Sequence, residues 1–99
     1  MQKKIAVLIR GRQDEALRMG VGITLEDDII DIFVLDRKIE MSEKNDRNLF
    51  TAQQLDQKVY TNHSENTKIK LTNGEIEMEL LDNKAIAKKL LEYDHILPY

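Results

Sequence analysis

The chain is predicted to be an α/β protein. We expect a three-layer sandwich around a mostly parallel, flavodoxin-like sheet, with a β-hairpin inserted into it. Three observations carry this reading. The short continuous apolar run "KIAVLI" suits a central parallel strand covered on both faces, and "IIDIFVLD" reads as a second strand. Stretches with helical spacing of apolar residues lie between and after them. One segment, "KIKLTNGEIEMEL", alternates apolar and charged residues on either side of an Asn-Gly pair.

The first strand is Lys4 to Ile9, followed by the loop "RGRQ", in which Gly11 can take an unusual backbone angle. Asp14 can cap a helix running to about Leu25, with Glu15 at its positive end. Ala16, Leu17, Met19, Val21, Ile23 and Leu25 cover nearly its whole circumference, and Gly20 and Gly22 permit close approach. Such a helix fits between its own sheet and a second subunit, or exposes a few apolar residues to water. Strand two runs from Ile29 to about Leu35, and Asp31 inside it suggests a sheet edge where a carboxylate reaches solvent. Asp36 to Asn45 reads as a polar loop. A short helix around Leu49, Phe50, Ala52 and Leu55 follows, with Asp46 as its cap.

Strand three is Lys58 to Thr61. The hairpin Lys68 to Leu80 then turns at Asn73-Gly74, a type I′ pair that sets Leu71 against Ile76, Ile69 against Met78, Lys70 against Glu77 and Lys68 against Glu79. Asp82 caps a last helix whose Ile86, Leu90 and Tyr93 share one face. "HILPY" supplies a terminal strand, with Pro98 marking an edge. The resulting order is β-α-β-α-β, hairpin, α-β, for which strand order 2-1-3-4 is expected. One domain, 1–99, accounts for the whole pattern.

With 15 basic and 18 acidic residues the formal charge is −3, and 5% of residues are aromatic. Neither a basic stripe nor stacking platforms for bases are present, so nucleic acid is not an expected partner. No apolar run is long enough to span a bilayer, "MQKKIAVLIR" has no signal-peptide cleavage region, and cysteine is absent. Cytoplasmic location is the expectation.

Ligands of such sheets gather beyond the carboxyl ends of strands. In the expected order this places Arg10, Gly11 and Arg12 beside "TNHSEN", and the candidate cleft is Arg10, Gly11, Arg12, Asn62 and His63. The two arginines can bind an anion with the helix N-terminus, or sit solvated near Asp14 and Asp36. No dinucleotide, Walker or flavodoxin phosphate loop appears, so no cofactor is expected. His63 and Ser64, with Asp36 or Asp94, do not make a hydrolase, because adjacent side chains on an extended segment point apart. His95 lies at the opposite end of the sheet from His63, and no metal site is expected.

The stretches "KIAVLIRGRQDEALRMGVGITLEDDIIDIFVLD", "VYTN" and "AIAKKLLEYDHILPY" resemble the DsrE/DsrF-like family of small sulfur-relay proteins. That resemblance implies an α/β sandwich, oligomeric assembly and sulfur-metabolism protein partners. Active members carry sulfur as a persulfide on a cysteine just after the third strand. Thr61-Asn62-His63 falls there in this chain, and hydroxyl, amide and imidazole groups cannot hold a transferable sulfane sulfur. The expectation is a DsrE-like, homo-oligomeric binding or assembly protein with no catalytic residues. The alternative is a small-anion-binding enzyme or sensor that uses the cleft.

Overall fold

The computed structural model describes residues 3–10, 18 and 29–98. The expected first helix, with Met19, Gly20 and Gly22, lies outside the described residues, as do Gly11 and Arg12 of the candidate cleft. In chain order the elements are β1 (Lys4–Ile9), β2 (Ile29–Val34), α1 (Glu43–Gln54), β3 (Val59–Thr61), a single 3-10 turn (Ser64–Asn66), β4 (Lys68–Leu71), β5 (Gly74–Glu77), β6 (Glu79–Leu80), α2 (Asn83–Leu90) and β7 (His95–Pro98).

The main sheet has the order β6-β3-β2-β1-β7, with every neighbouring pair parallel. This corrects the expected order 2-1-3-4. β2 is the middle strand, between β1 and β3, and Asp31 is 4% exposed rather than at an edge. The carboxylate tolerates this position because two donors meet it there. The Tyr93 hydroxyl donates to one oxygen and the Lys58 backbone N–H to the other. A buried carboxylate with its hydrogen bonds made is no marker of an edge.

Alternation along the strands divides the core in two. On one face Ile5, Val7, Ile9, Ile30, Ile32 and Val34 pack with Leu49 and Ala52 of α1 and with the hairpin residues Ile69, Leu71, Ile76 and Met78. On the other, Ala6, Leu8, Phe33, Leu35 and Tyr60 pack with Ile86 of α2 and Tyr93. Phe33 is fully buried, stacked on Tyr60 at 4.9 Å between ring centroids and met edge-on by Tyr93 at 5.6 Å. Helical layers therefore lie on both faces. β1, β2, β3 and β6 step across the sheet in one direction, and α2 returns the chain over the opposite face to β7. Right-handed crossovers demand that change of face.

The inserted hairpin is present in a different register. Lys68 opposes Glu77, Ile69 opposes Ile76, Lys70 opposes Glu75, and Leu71 closes the ladder with Gly74. The turn residues are Thr72 and Asn73, not Asn73 and Gly74. Asp46 explains the position of the apex, because its carboxylate accepts both the Thr72 backbone N–H at 2.9 Å and the Thr72 hydroxyl at 2.8 Å. The second arm also ends earlier than expected: Glu79 and Leu80 leave the hairpin and pair with β3 as β6.

Since Asp46 is engaged with the hairpin, it does not cap α1. Ser42 does, accepting the Asn45 N–H at 3.1 Å, so the helix starts at Glu43 within the expected loop. Asp82 caps α2 as expected, accepting the Ala85 N–H at 2.7 Å.

Candidate functional site

The carboxyl ends of β1, β2 and β3 stand side by side, and a polar network crosses them. β2 continues through Leu35 to Asp36, whose φ of 67° is a left-handed conformation that aspartate adopts more readily than most residues. There its carboxylate meets the Arg10 Nε at 3.0 Å on one oxygen and the Asn62 Nδ2 at 2.8 Å on the other. The Asn62 Oδ1 accepts the Asp36 backbone N–H at 2.6 Å. The same Asn62 Nδ2 donates to the Asn83 Oδ1 at 2.8 Å, in the first turn of α2. Arg10, Asp36, Asn62 and Asn83 thus tie three strands to one helix.

Asp36 is held below the usual carboxylate range, first by the Asn62 amide and then by the Arg10 guanidinium. It is firmly ionised at neutral pH and neutralises the guanidinium beside it.

Arg10 and Asn62 are therefore brought together, though not across a β1–β3 cleft. β2 lies between those strands, and Asp36 at its end is the hub. The direction of strand succession reverses between β1 and β7, so only Arg10 of this group stands beside the switch point. The hub was legible only as a neighbour of Arg10. Seeing its link to Asn62 requires knowing that β2 and β3 are adjacent.

The rest of "TNHSEN" divides between buried and exposed roles. Thr61 and Asn66 are fully buried. The Asn66 Oδ1 accepts the Ile39 N–H at 2.8 Å, and its Nδ2 donates to the Arg37 carbonyl at 2.9 Å and to the Thr61 Oγ1 at 3.2 Å. Two polar side chains thereby fasten the 37–39 segment to the end of β3. His63 caps the 3-10 turn, its Nδ1 accepting the Glu65 N–H at 3.3 Å. Ser64 is exposed, and its carbonyl accepts from Thr67. Asp94 accepts the Lys4 backbone N–H. With Asp36 committed to Arg10 and Asn62, no Ser-His-carboxylate relay forms among the described residues.

A surface depression lies at the other end of β3. It has a volume of about 490 Å³ and is lined by Gln57, Lys58, Val59, Tyr60, Glu77, Met78 and Glu79. Its walls are acidic and open to solvent, and among the described residues no group of histidine, aspartate or glutamate is arranged to hold a metal ion. Among them, too, no helix is long and apolar enough to cross a membrane.

No family model matches the sequence, and no curated protein matches it. The fold is similar to that of a solved structure, the crystal structure of the ychN protein from E. coli, with a TM-score of 0.71 over 100% of both chains at 14% sequence identity. At that identity the likeness is one of fold.

Proposed function

We propose that this chain is a DsrE-like, cytoplasmic and homo-oligomeric protein that binds or assembles with a sulfur-metabolism partner and carries no sulfur itself. One observation supports the reading above the others. The resemblance puts the thiolate of a sulfur carrier within Thr61-Asn62-His63, and Asn62 is the first residue after β3. Both of its amide hydrogens and its carbonyl oxygen are engaged within the protein, with Asp36 and Asn83. An amide so committed is a fastening between strand ends and a helix, and it offers no nucleophile. The full-length likeness in fold to the ychN protein and the sequence resemblance support the family side of the reading. Support for assembly comes from the apolar circumference of 16–25 in the sequence.

A labelled sulfane-sulfur donor tests the chemical half directly. Intact-mass measurement is expected to find no covalent sulfur on the chain, and label passed from chain to acceptor would overturn the reading. Sedimentation over a wide concentration range tests the assembly half, for which species larger than a monomer are expected. Of the residues named for the anion-binding alternative, Arg10 already has a carboxylate at 3.0 Å, while Gly11 and Arg12 lie outside the described residues. A rise in melting temperature with added phosphate or sulfate would favour that alternative instead.

A further inference from the structure

The hairpin apex carries a chemical feature that the functional reading leaves unused. Asn73 is followed by Gly74, whereas the other asparagines, Asn45, Asn48, Asn62, Asn66 and Asn83, precede Asp, Leu, His, Thr and Lys. Asn73 and Gly74 are both exposed. Among the described residues no partner holds the Asn73 amide, in contrast to Asn62 and Asn66, whose amides are tied down. Around Gly74 there is open space, since a Cβ built there would meet nothing within 4 Å.

We propose that Asn73 is a site of spontaneous covalent modification, in which the Gly74 backbone nitrogen attacks the Asn73 side-chain amide and converts the residue to aspartate and isoaspartate. The reacting group is the chain's own Asn-Gly unit, and the co-reactant is water. A bond forms between the Gly74 nitrogen, which gives up its proton, and the Asn73 Cγ. The Cγ–Nδ2 bond breaks, and ammonia leaves with that proton. The cyclic imide left behind is opened by water at either carbonyl. Attack at Cγ gives aspartate, and attack at the main-chain carbonyl gives isoaspartate, with no change of oxidation state. Glycine suits the nucleophilic position because it has no side chain to obstruct the approach and the widest backbone freedom.

The consequences follow from what the apex holds. Isoaspartate adds an atom to the main chain within a two-residue turn, so Leu71 and Gly74 can no longer close the ladder as they do now. Either product also places a new carboxylate in the surface depression that Asn73 shares with Glu43, Asp46 and Arg47. Asp46 is the group that grips Thr72, and Ile69, Leu71, Ile76 and Met78 depend on the same register to cover one face of the sheet. Modification at 73 therefore loosens a layer of the core from its outermost point.

The test is to age the folded chain at neutral pH and map its peptides by mass spectrometry, with isoaspartate detected by an isoaspartate-specific carboxyl methyltransferase. The same measurement is made on the chain unfolded in denaturant. Reaction at the exposed apex needs only the closing Leu71–Gly74 pair to open, so the folded rate is expected within about tenfold of the unfolded rate, whereas a reaction that required global opening would be slower by roughly a thousandfold or more. Asn73 is expected to convert first among the asparagines, and the aged chain is expected to melt below an equally aged Asn73→Gln variant. A thousandfold protection by the fold, or conversion at Asn73 no faster than at its fellow asparagines, overturns the proposal.

Discussion

Tyr93, which follows α2, donates its hydroxyl hydrogen to Asp31 in the central strand at 2.5 Å, across 62 positions of sequence. The contact joins the final helix-strand corner to the middle of the sheet, and both partners are less than a tenth exposed. Tyr93→Phe keeps the ring against Phe33 and leaves one Asp31 oxygen without its donor. The expected loss is about 1–3 kcal/mol of unfolding free energy, the usual cost of stranding a buried acceptor. Chemical denaturation at neutral pH measures it. A variant as stable as the parent would mean that water reaches Asp31 and replaces the phenol.

The same phenol predicts an alkaline weakness. Burial first, and then the hydrogen bond to Asp31, raise the Tyr93 pKa far above the ordinary value of 10.0. A raised folded-state pKa gives stability that is complete below the unfolded value and is lost as pH rises above it. Melting temperature is therefore expected to fall as pH climbs past about 10, and the fall should be shallower in Tyr93→Phe. Equal slopes in the two proteins would assign the weakness elsewhere, with Tyr60, whose pKa is also raised by burial, the next group to replace.

At the opposite end of the sheet the sign reverses. Asp36 has a folded-state pKa below its ordinary value of 3.8, so the stability it confers is complete above that value and is lost as pH falls below it. Asp36→Asn removes the charge while keeping a residue that tolerates positive φ. Because Arg10 and Asp36 are each about half exposed, the loss at neutral pH is expected to be no more than about 1 kcal/mol. Asn62→Ala removes three hydrogen bonds at once, two shared with Asp36 and one with Asn83, and is expected to cost more, about 1–2 kcal/mol. The reverse ranking would mean that the ion pair, not the amide, holds the strand ends together.

These two networks also show where sequence stops speaking. β1 was legible as a continuous apolar run and β2 as an apolar stretch around one aspartate, and Asp82 was legible as a cap because capping is local. Strand order was not, since Asp31 is satisfied by a tyrosine from the far end of the chain and no local signal announces that partner. The Asn62 linkage depended on that order and was hidden with it. Ser42 was passed over because the competing cap, Asp46, has a long-range partner in Thr72. β6, with two residues, has too little length to show any period. The hairpin survived a register error because its alternation repeats every two residues. A two-residue shift leaves every side chain on its own face, so apolar pairs and Lys–Glu pairs persist in the new alignment.

That register gives the final prediction. Gly74 enters β5 with φ of +145°, a region that side-chain-bearing residues rarely occupy, yet a Cβ there would touch nothing within 4 Å. Any penalty for substitution therefore arises from the backbone angle and not from crowding. Gly74→Ala and Gly74→Val are expected to lose similar amounts, about 1–3 kcal/mol each, although valine is much the larger. Asp46→Ala attacks the same apex from the helix side, removing two hydrogen bonds to Thr72 at an expected cost of about 1–2 kcal/mol. Because both changes act on one turn, the double variant should lose less than the sum of the single losses. Strict additivity in denaturant titrations would show that the α1 clamp and the glycine act independently, and a loss confined to valine would show that crowding controls the turn after all.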